Sequence, residues 1–547
     1  MKTNHKKYWI AGVALLVFSS CGDFLSKNAT NQVFVTSIED VNELILGEGY
    51  MDATRPSRSS SLSSTHVQGI AIGGWIHVMD DDSKANNYMS GPQYNFWVTA
   101  LGPFHYWQMN PFIGYQQPFT PYDDRCWSRL YDFINSMNVI IFELDENYAG
   151  ERRYPALKGE ALFLRALYYY YLVNVYAVPY RVSSASTDPG VPIKLSEMVE
   201  DKNYSRNSVA SVYETIVTDL KEAVRLLDGV TQESIYRPNQ TAARLLLSRV
   251  YLYMSKYAEC VEQCDEILRA GGYSLLDYTT LDAEEDRISF DSPETIFSNG
   301  QYRIETIFRS KSVKTGGTST GNYPSMGGGY NFKASDALIA AFDQENDTRF
   351  KIFEYIDRSG LSVYPGFCGY YPTFKCYDNT KRPISDCCLF RWPEVLLNKA
   401  EALALLGGSD NESEAASTIS SLRAKRFVAS YNSTVTATGD DLIRLIRDER
   451  RRELCFEGHR WFDLRRYAVN ERLPYDEAIH HEYDREPSDG MPDGLPEGYY
   501  ILPSLSQSAD GGNWVFSIPQ SEILINNGAL KDNNRTGVEM HVGMEDF

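Results

Sequence analysis

The residues best suited to hold a ligand lie between Trp75 and Trp127. There Tyr88, Tyr94, Phe96, Trp97, Tyr106, Trp107, Tyr115 and Tyr122 alternate with Asp80, Asp81, Asp82, Asn86, Asn87 and Asn95. Flat indole and phenol faces beside amides and carboxylates suit a molecule with apolar C–H faces edged by hydroxyls, which is the chemistry of a sugar ring. Taken singly, most of these rings are expected to fill the core of a long insertion. A second constellation runs from Arg450 through Arg451, Arg452, Glu453, Glu457, Arg460 and Asp463 to Arg465. Acids and guanidiniums three or four apart on a helix are neighbours, so this group is expected to satisfy itself and to act structurally.

Other residues look reactive but lack the spacing for it. His480 and His481 are adjacent, unlike the helical i, i+4 pair of a zinc site, and a solvated loop is expected. Asp80 to Asp82 are not followed by a calcium-loop pattern, so no metal is assigned. Cys368, Cys376, Cys387 and Cys388 crowd one Tyr/Pro/Gly-rich stretch, where one local disulfide would fit; Cys260 and Cys264 read as small core residues. Cys455 precedes His459 by four, within an apolar helix end where an inert thiol is expected. No P-loop occurs, and Gly327 to Gly329 lack the strand-and-helix context of a nucleotide loop. No catalytic residue and no cofactor are assigned. A surface glycoside hydrolase is the enzymatic alternative, but no pair of carboxylates stands out for it.

Paired helices must position these residues. Trp127, Leu130, Ile134, Met137 and Ile141 recur at helical spacing, as do Leu157, Ala161, Leu164, Tyr168, Tyr171 and Val175 up to Pro179. Ser208 caps a helix carrying Val212, Ile216, Leu220 and Val224, and Pro238-Asn239 opens one with Ala243, Leu246, Val250 and Met254. Tyr257 to Arg269, Glu394 to Leu406, Glu412 to Phe427, Asp440 to Phe456 and a short stretch through Tyr467 complete the set. Small residues such as Gly159, Ala166, Ala243, Ser248 and Ala400 mark close approaches, giving tetratricopeptide-like helix pairs. The fold class is mainly α, with long irregular loop insertions over 49–122, 273–330, 355–390 and 470–547 and few short strands, such as Thr295 to Ser298 and Tyr499 to Leu502.

The N-terminus carries its own chemistry. Lys2, Lys6 and Lys7 precede an apolar run from Trp9 to Phe18, then Ser19, Ser20 and Cys21. The run is shorter than the about 20 residues that span a bilayer, so residues 1–20 read as an export signal. A cysteine just after the cleavage site can be acylated and anchor the chain to lipid. The net charge of −20 becomes −23 without the leader lysines, which disfavours nucleic acid as a partner. Hydrophobic content of 43% and charged content of 23% are those of a globular chain rather than a disordered one.

Several stretches together resemble the SusD/RagB family of surface nutrient-binding lipoproteins. They are Cys21-Gly-Asp-Phe-Leu25, Trp127-Ser-Arg-Leu-Tyr-Asp-Phe-Ile-Asn-Ser-Met-Asn138 and Lys158-Gly-Glu-Ala-Leu-Phe-Leu-Arg-Ala-Leu-Tyr-Tyr-Tyr-Tyr171, followed by Arg391 to Glu401, Arg450 to Arg466 and Ile518 to Ile523. The resemblance implies one SusD-like domain over 21–547, with an N-terminal part to 270 and a C-terminal part from 271. It implies an outer-membrane protein held by lipid on Cys21 and facing the cell surface, with a SusC-like TonB-dependent β-barrel transporter as partner, docked against the helical-repeat surface. Its ligand would be a glycan, or a peptide in the RagB manner, bound without catalysis. The resemblance places ligand contacts at Trp75, Asn95, Trp97, Trp107, Tyr302 and Tyr323.

Overall fold

The computed structural model describes residues 35–51, 72–85, 96–112, 125–281, 287–299, 308, 332–357, 368–372, 382, 384–385, 387–484 and 496–542. Helix α1 (Ile38–Glu48) starts with a reciprocal cap in which Ser37 accepts the Asp40 N–H and Asp40 accepts the Ser37 N–H. A second helix, α2 (Phe96–His105), lies inside the stretch 49–122 that was read as an irregular insertion. The two long helices α3 (Arg125–Asn147) and α4 (Tyr154–Tyr176) form the expected hairpin. Every residue of α4 from Gly159 to Tyr176 is buried, so this helix is the axis of the core and carries no solvent stripe.

Helix α5 (Val209–Leu226) is capped by Ser208, which accepts the Ser211 N–H, and α6 (Gln240–Tyr253) by Asn239, which accepts the Ala242 N–H. Helix α7 (Tyr257–Ala270) follows. The C-terminal part adds α8 (Trp392–Leu406), stopped by Gly407 at φ 74°, then α9 (Ser409–Arg423), α10 (Gly439–Leu454), α11 (Arg460–Ala468) and the short α12 (Gln520–Ile525). Sequential helices pack on one another from α3 to α7, and α8 packs on α7, α9 and α10, so paired helices form a continuous stack. Gly159 lets α4 and α5 approach closely: a Cβ there would lie 2.7 Å from Leu227 Cγ.

The strands are short and antiparallel. β1 (Ser83–Ala85) pairs with β3 (Phe332–Ala334), β2 (Thr295–Ser298) with β6 (Leu389–Arg391), and β4 (Phe353–Asp357) with β5 (Cys368–Pro372). A three-stranded sheet has the order β7 (Ile479–Asp484), β8 (Pro496–Leu502), β9 (Met540–Val542). Among the described residues no helix is long and apolar enough to cross a membrane. Cys260 and Cys264 are buried free thiols in α7, as expected. Cys387 and Cys388 are also buried free thiols, so neither makes the local bridge; Cys376 lies outside the described residues.

Candidate functional site

The chain from Trp75 to Asp82 is bound to the end of α2 and to β7 by stacked rings. Trp107 donates its indole N–H to Met79 O at 3.0 Å and stacks on His481 at 4.3 Å between ring centres. His481 in turn stacks on His105 at 3.7 Å. The His481 ring nitrogens face His105 O at 2.6 Å and Asp80 O at 3.0 Å, and His105 Nδ1 faces Val78 O at 2.6 Å. His481 is therefore a buried strand residue, which corrects the expectation of a solvated loop. Burial pushes its ring down to about 4 against the opposing pull of the two carbonyls. His480, its neighbour, points to solvent because successive strand residues face opposite sides.

Trp75 lies flat against Phe104 at 5.7 Å and meets Phe112 and Phe516 edge-on at 5.8 and 5.5 Å. Trp75 and Trp107 are 1% and 0% exposed. A ring covered on both faces cannot stack on an incoming sugar, so the expectation that these two touch ligand is corrected: both hold the frame. Trp97 lies on α2, and nothing is described of its side chain. Asn95, Tyr302 and Tyr323 lie outside the described residues, as does Cys21.

The acids of this segment are engaged by the C-terminal helices. Arg460 grips Asp81 through two contacts of 2.6 and 2.7 Å, and Arg451 reaches Asp82 at 2.6 Å. Burial would raise the Asp81 carboxyl, but Arg460 and Arg451 hold it well below the usual range; Asp80 is pushed well up by burial and by the charges of Asp82 and Asp81. The arginine-rich cluster is structural, but its partners are mostly distant. Arg450 does pair with Asp463 at 2.7 Å. Glu453, in contrast, takes Arg349, Arg391 and Arg426, and Glu457 takes Arg391. Among the described residues Arg465 meets no carboxylate; it donates to Asn174 O and Ala177 O at the end of α4, where the helix dipole favours a cation. Burial without a counter-charge pushes Arg465 down to about 10.

Sequence reasoning missed Tyr483 and Tyr500. They are partly buried, and both pack on Tyr106, at 5.5 and 4.5 Å between ring centres. Lys84 of β1 pairs with Glu482 of β7 at 2.5 Å, so these rings stand beside the point where the chain leaves β1 toward Asn86, Tyr88 and Asn95. The Tyr-rich alternation of 479–484 and 496–502 was the available signal. The geometry is that of a fixed helical frame with partly buried aromatic rings beside the point where the chain leaves β1.

The fold defines a class, the helical-repeat proteins with irregular inserts, and comparison with known proteins narrows it. Residues 50–252 match the SusD-like family described as starch-binding and associating with the outer membrane, and residues 369–535 match the SusD family. SusD-like proteins P2 and P25 of Formosa agariphila are 26% and 23% identical, over 65% and 63% of this chain and 74% and 70% of theirs. A solved SusD superfamily protein from Bacteroides thetaiotaomicron overlays with a TM-score of 0.63 at 20% identity, covering 91% of this chain and all 100% of that one. A SusD-like carbohydrate binding protein from Bacteroides vulgatus gives 0.62 at 19% identity, covering 90% and 97%. The chain belongs to the SusD/RagB family.

Proposed function

We propose that this chain is a non-catalytic, lipid-anchored outer-membrane receptor that captures glycan oligomers at the cell surface and passes them to a SusC-like TonB-dependent barrel transporter. The observation that carries this reading is the joint match of both halves to SusD families, one described as starch-binding. The frame supports it. Residues 75–82 and 104–107 are locked by Trp107, His481 and the Arg451 and Arg460 pairs, so the aromatic segment between Ala85 and Phe96 starts and ends on fixed points. In this reading Asn95, Trp97, Tyr302 and Tyr323 contact ligand, joined by Tyr483 and Tyr500, and residues 21–547 act as one domain tethered through Cys21.

Isothermal titration with malto-, xylo- and pectin-derived oligosaccharides and with mixed peptides tests the reading. Glycan heat that falls at least ten-fold in Trp97→Ala is expected; heat from peptides alone overturns the glycan assignment in favour of a RagB-like receptor. Accumulation of new reducing ends during overnight incubation would overturn the non-catalytic reading. Cys21→Ala is expected to leave the membrane fraction, and its retention there would count against the tether.

A further inference from the structure

A cavity of about 230 Å³ opens where the chain leaving α4, the end of α11 and the turn Leu505–Gln507 meet, and none of its lining residues belongs to the aromatic segment. Its charges are uncommitted. Arg181 and Glu471 both line it, yet they are not paired with each other, and among the described residues neither side chain has any other ion pair or hydrogen bond. The wall around them is already fixed. The Asp476 carboxylate accepts the Leu505 and Ser506 N–H groups at 2.7 and 2.9 Å. The Asn470 amide donates to Tyr257 Oη at 2.9 Å and accepts the Leu473 N–H at 2.8 Å, while Arg181 O accepts the Ser184 and Ala185 N–H groups at 3.1 and 2.8 Å. A cavity ordered before its ligand arrives loses little entropy on binding.

The lining chooses the ligand. A guanidinium only donates, a carboxylate only accepts and an alcohol does both, so neighbouring hydroxyls on one molecule can accept from Arg181 and donate to Glu471. Ser183 and Ser506 add two hydroxyls, while Val469 and the buried Leu505 give an apolar surface for C–H groups. At about 30 Å³ per water the space equals about eight waters, which is room for one pyranose ring but not for a chain of them. The charges argue against an acidic sugar. Arg181 is matched by Glu471, and Asp476 adds a second negative group. We infer that this cavity is a separate binding site for a single neutral pyranose, held between Arg181 and Glu471 against Val469 and Leu505. It goes beyond the capture of glycan oligomers by the aromatic segment, and it does not depend on that segment.

The test titrates the full-length protein with D-glucose, D-galactose, D-mannose and D-xylose, read by saturation-transfer NMR, beside an oligosaccharide titration by calorimetry. Arg181→Ala and Glu471→Ala remove side chains that have no partner within the described residues, so thermal melting should match the wild type. The expected result is saturable binding of at least one of these sugars, weakened about ten-fold or more in each variant, as losing a hydrogen bond to a charged group implies, with oligosaccharide heat unchanged. Ser183→Trp, which fills the cavity from an exposed position, should abolish it. No sugar binding by the wild type, or equal binding by wild type and Arg181→Ala, overturns the site while leaving the receptor reading standing. A parallel loss of oligosaccharide heat in Arg181→Ala would make the cavity part of the oligomer site and overturn its independence. Binding of free glycine or alanine instead, with the same sensitivity to both variants, would assign the two charges to an amino acid and overturn the sugar.

Discussion

Replacing Glu453 by glutamine is the sharpest test of the buried charge network that ties the C-terminal part together. Glu453 is 1% exposed and its two oxygens receive Arg349 Nη1 at 3.0 Å, Arg391 Nη1 at 3.2 Å, and Arg426 Nε and Nη2 at 2.9 and 3.1 Å. Burial would raise this carboxyl, but the three guanidiniums hold it well below the usual range. Glutamine keeps the volume, removes the charge and turns an amide N–H₂ toward donors. Breaking one partner of a buried pair costs about 3–5 kcal/mol, because the remaining charges stay desolvated. Glu294 and Glu457 still accept from Arg391, and Glu294 from Arg426, so the lower half of that range is expected. With an unfolding entropy of about 2.1 cal/mol/K per residue, a cooperative unit of roughly 500 residues would show this as a fall in Tm of about 3 °C. Calorimetry and urea unfolding would read it, with Glu222→Gln, whose partner Arg225 is exposed, as the control that leaves Tm unchanged. A Glu453→Gln protein melting within 1 °C of wild type would refute the claim that this carboxylate holds the network together.

Three further outcomes follow from the same geometry. Trp107→Ala should cost about 3–5 kcal/mol of stability, as for other buried aromatic truncations, and urea unfolding would show it; a variant with lost binding and unchanged stability would mean that the ring touches ligand after all. Gly159→Ala should destabilise by about 1–3 kcal/mol through overpacking against Leu227 and Leu226, both buried, and a neutral Tm would contradict the close α4–α5 approach. Burial raises the Glu449 carboxyl, but Arg349, Arg452 and Arg423 outweigh it and hold the group at about 2, below its ordinary 4.5. The unfolded chain therefore binds the extra proton, and about 3 kcal/mol that is fully present above pH 4.5 is lost as pH falls toward 2. Urea unfolding at pH 5.5 and pH 3 should show a steeper loss in wild type than in Glu449→Gln, and equal slopes would remove Glu449 as a source.

The helical frame was open to reading because its signals are local. Ser208 and Asn239 cap the helices they were expected to cap and Gly407 ends α8, since each signal involves residues within a turn or two of one another. Helix α2 was hidden because Gly102 and Pro103 lower local propensity, while burial of Leu101 and Phe104 against the rest of the chain overrides it.

By itself the sequence determined the mainly α class, the caps and stops of the paired helices, and the family kinship of the chain. Only the tertiary structure decided which face each polar or aromatic residue presents. His481 is buried because β7 runs past His105 and Trp107, residues more than 370 positions away in the chain. The same distance effect separates Arg465, which caps α4, from Arg460, which reaches back to Asp81, although the two lie on one short helix. Composition names the charges and rings; which of them meet depends on long-range packing, because a side chain's cost in the interior is set by the partner that the fold brings to it.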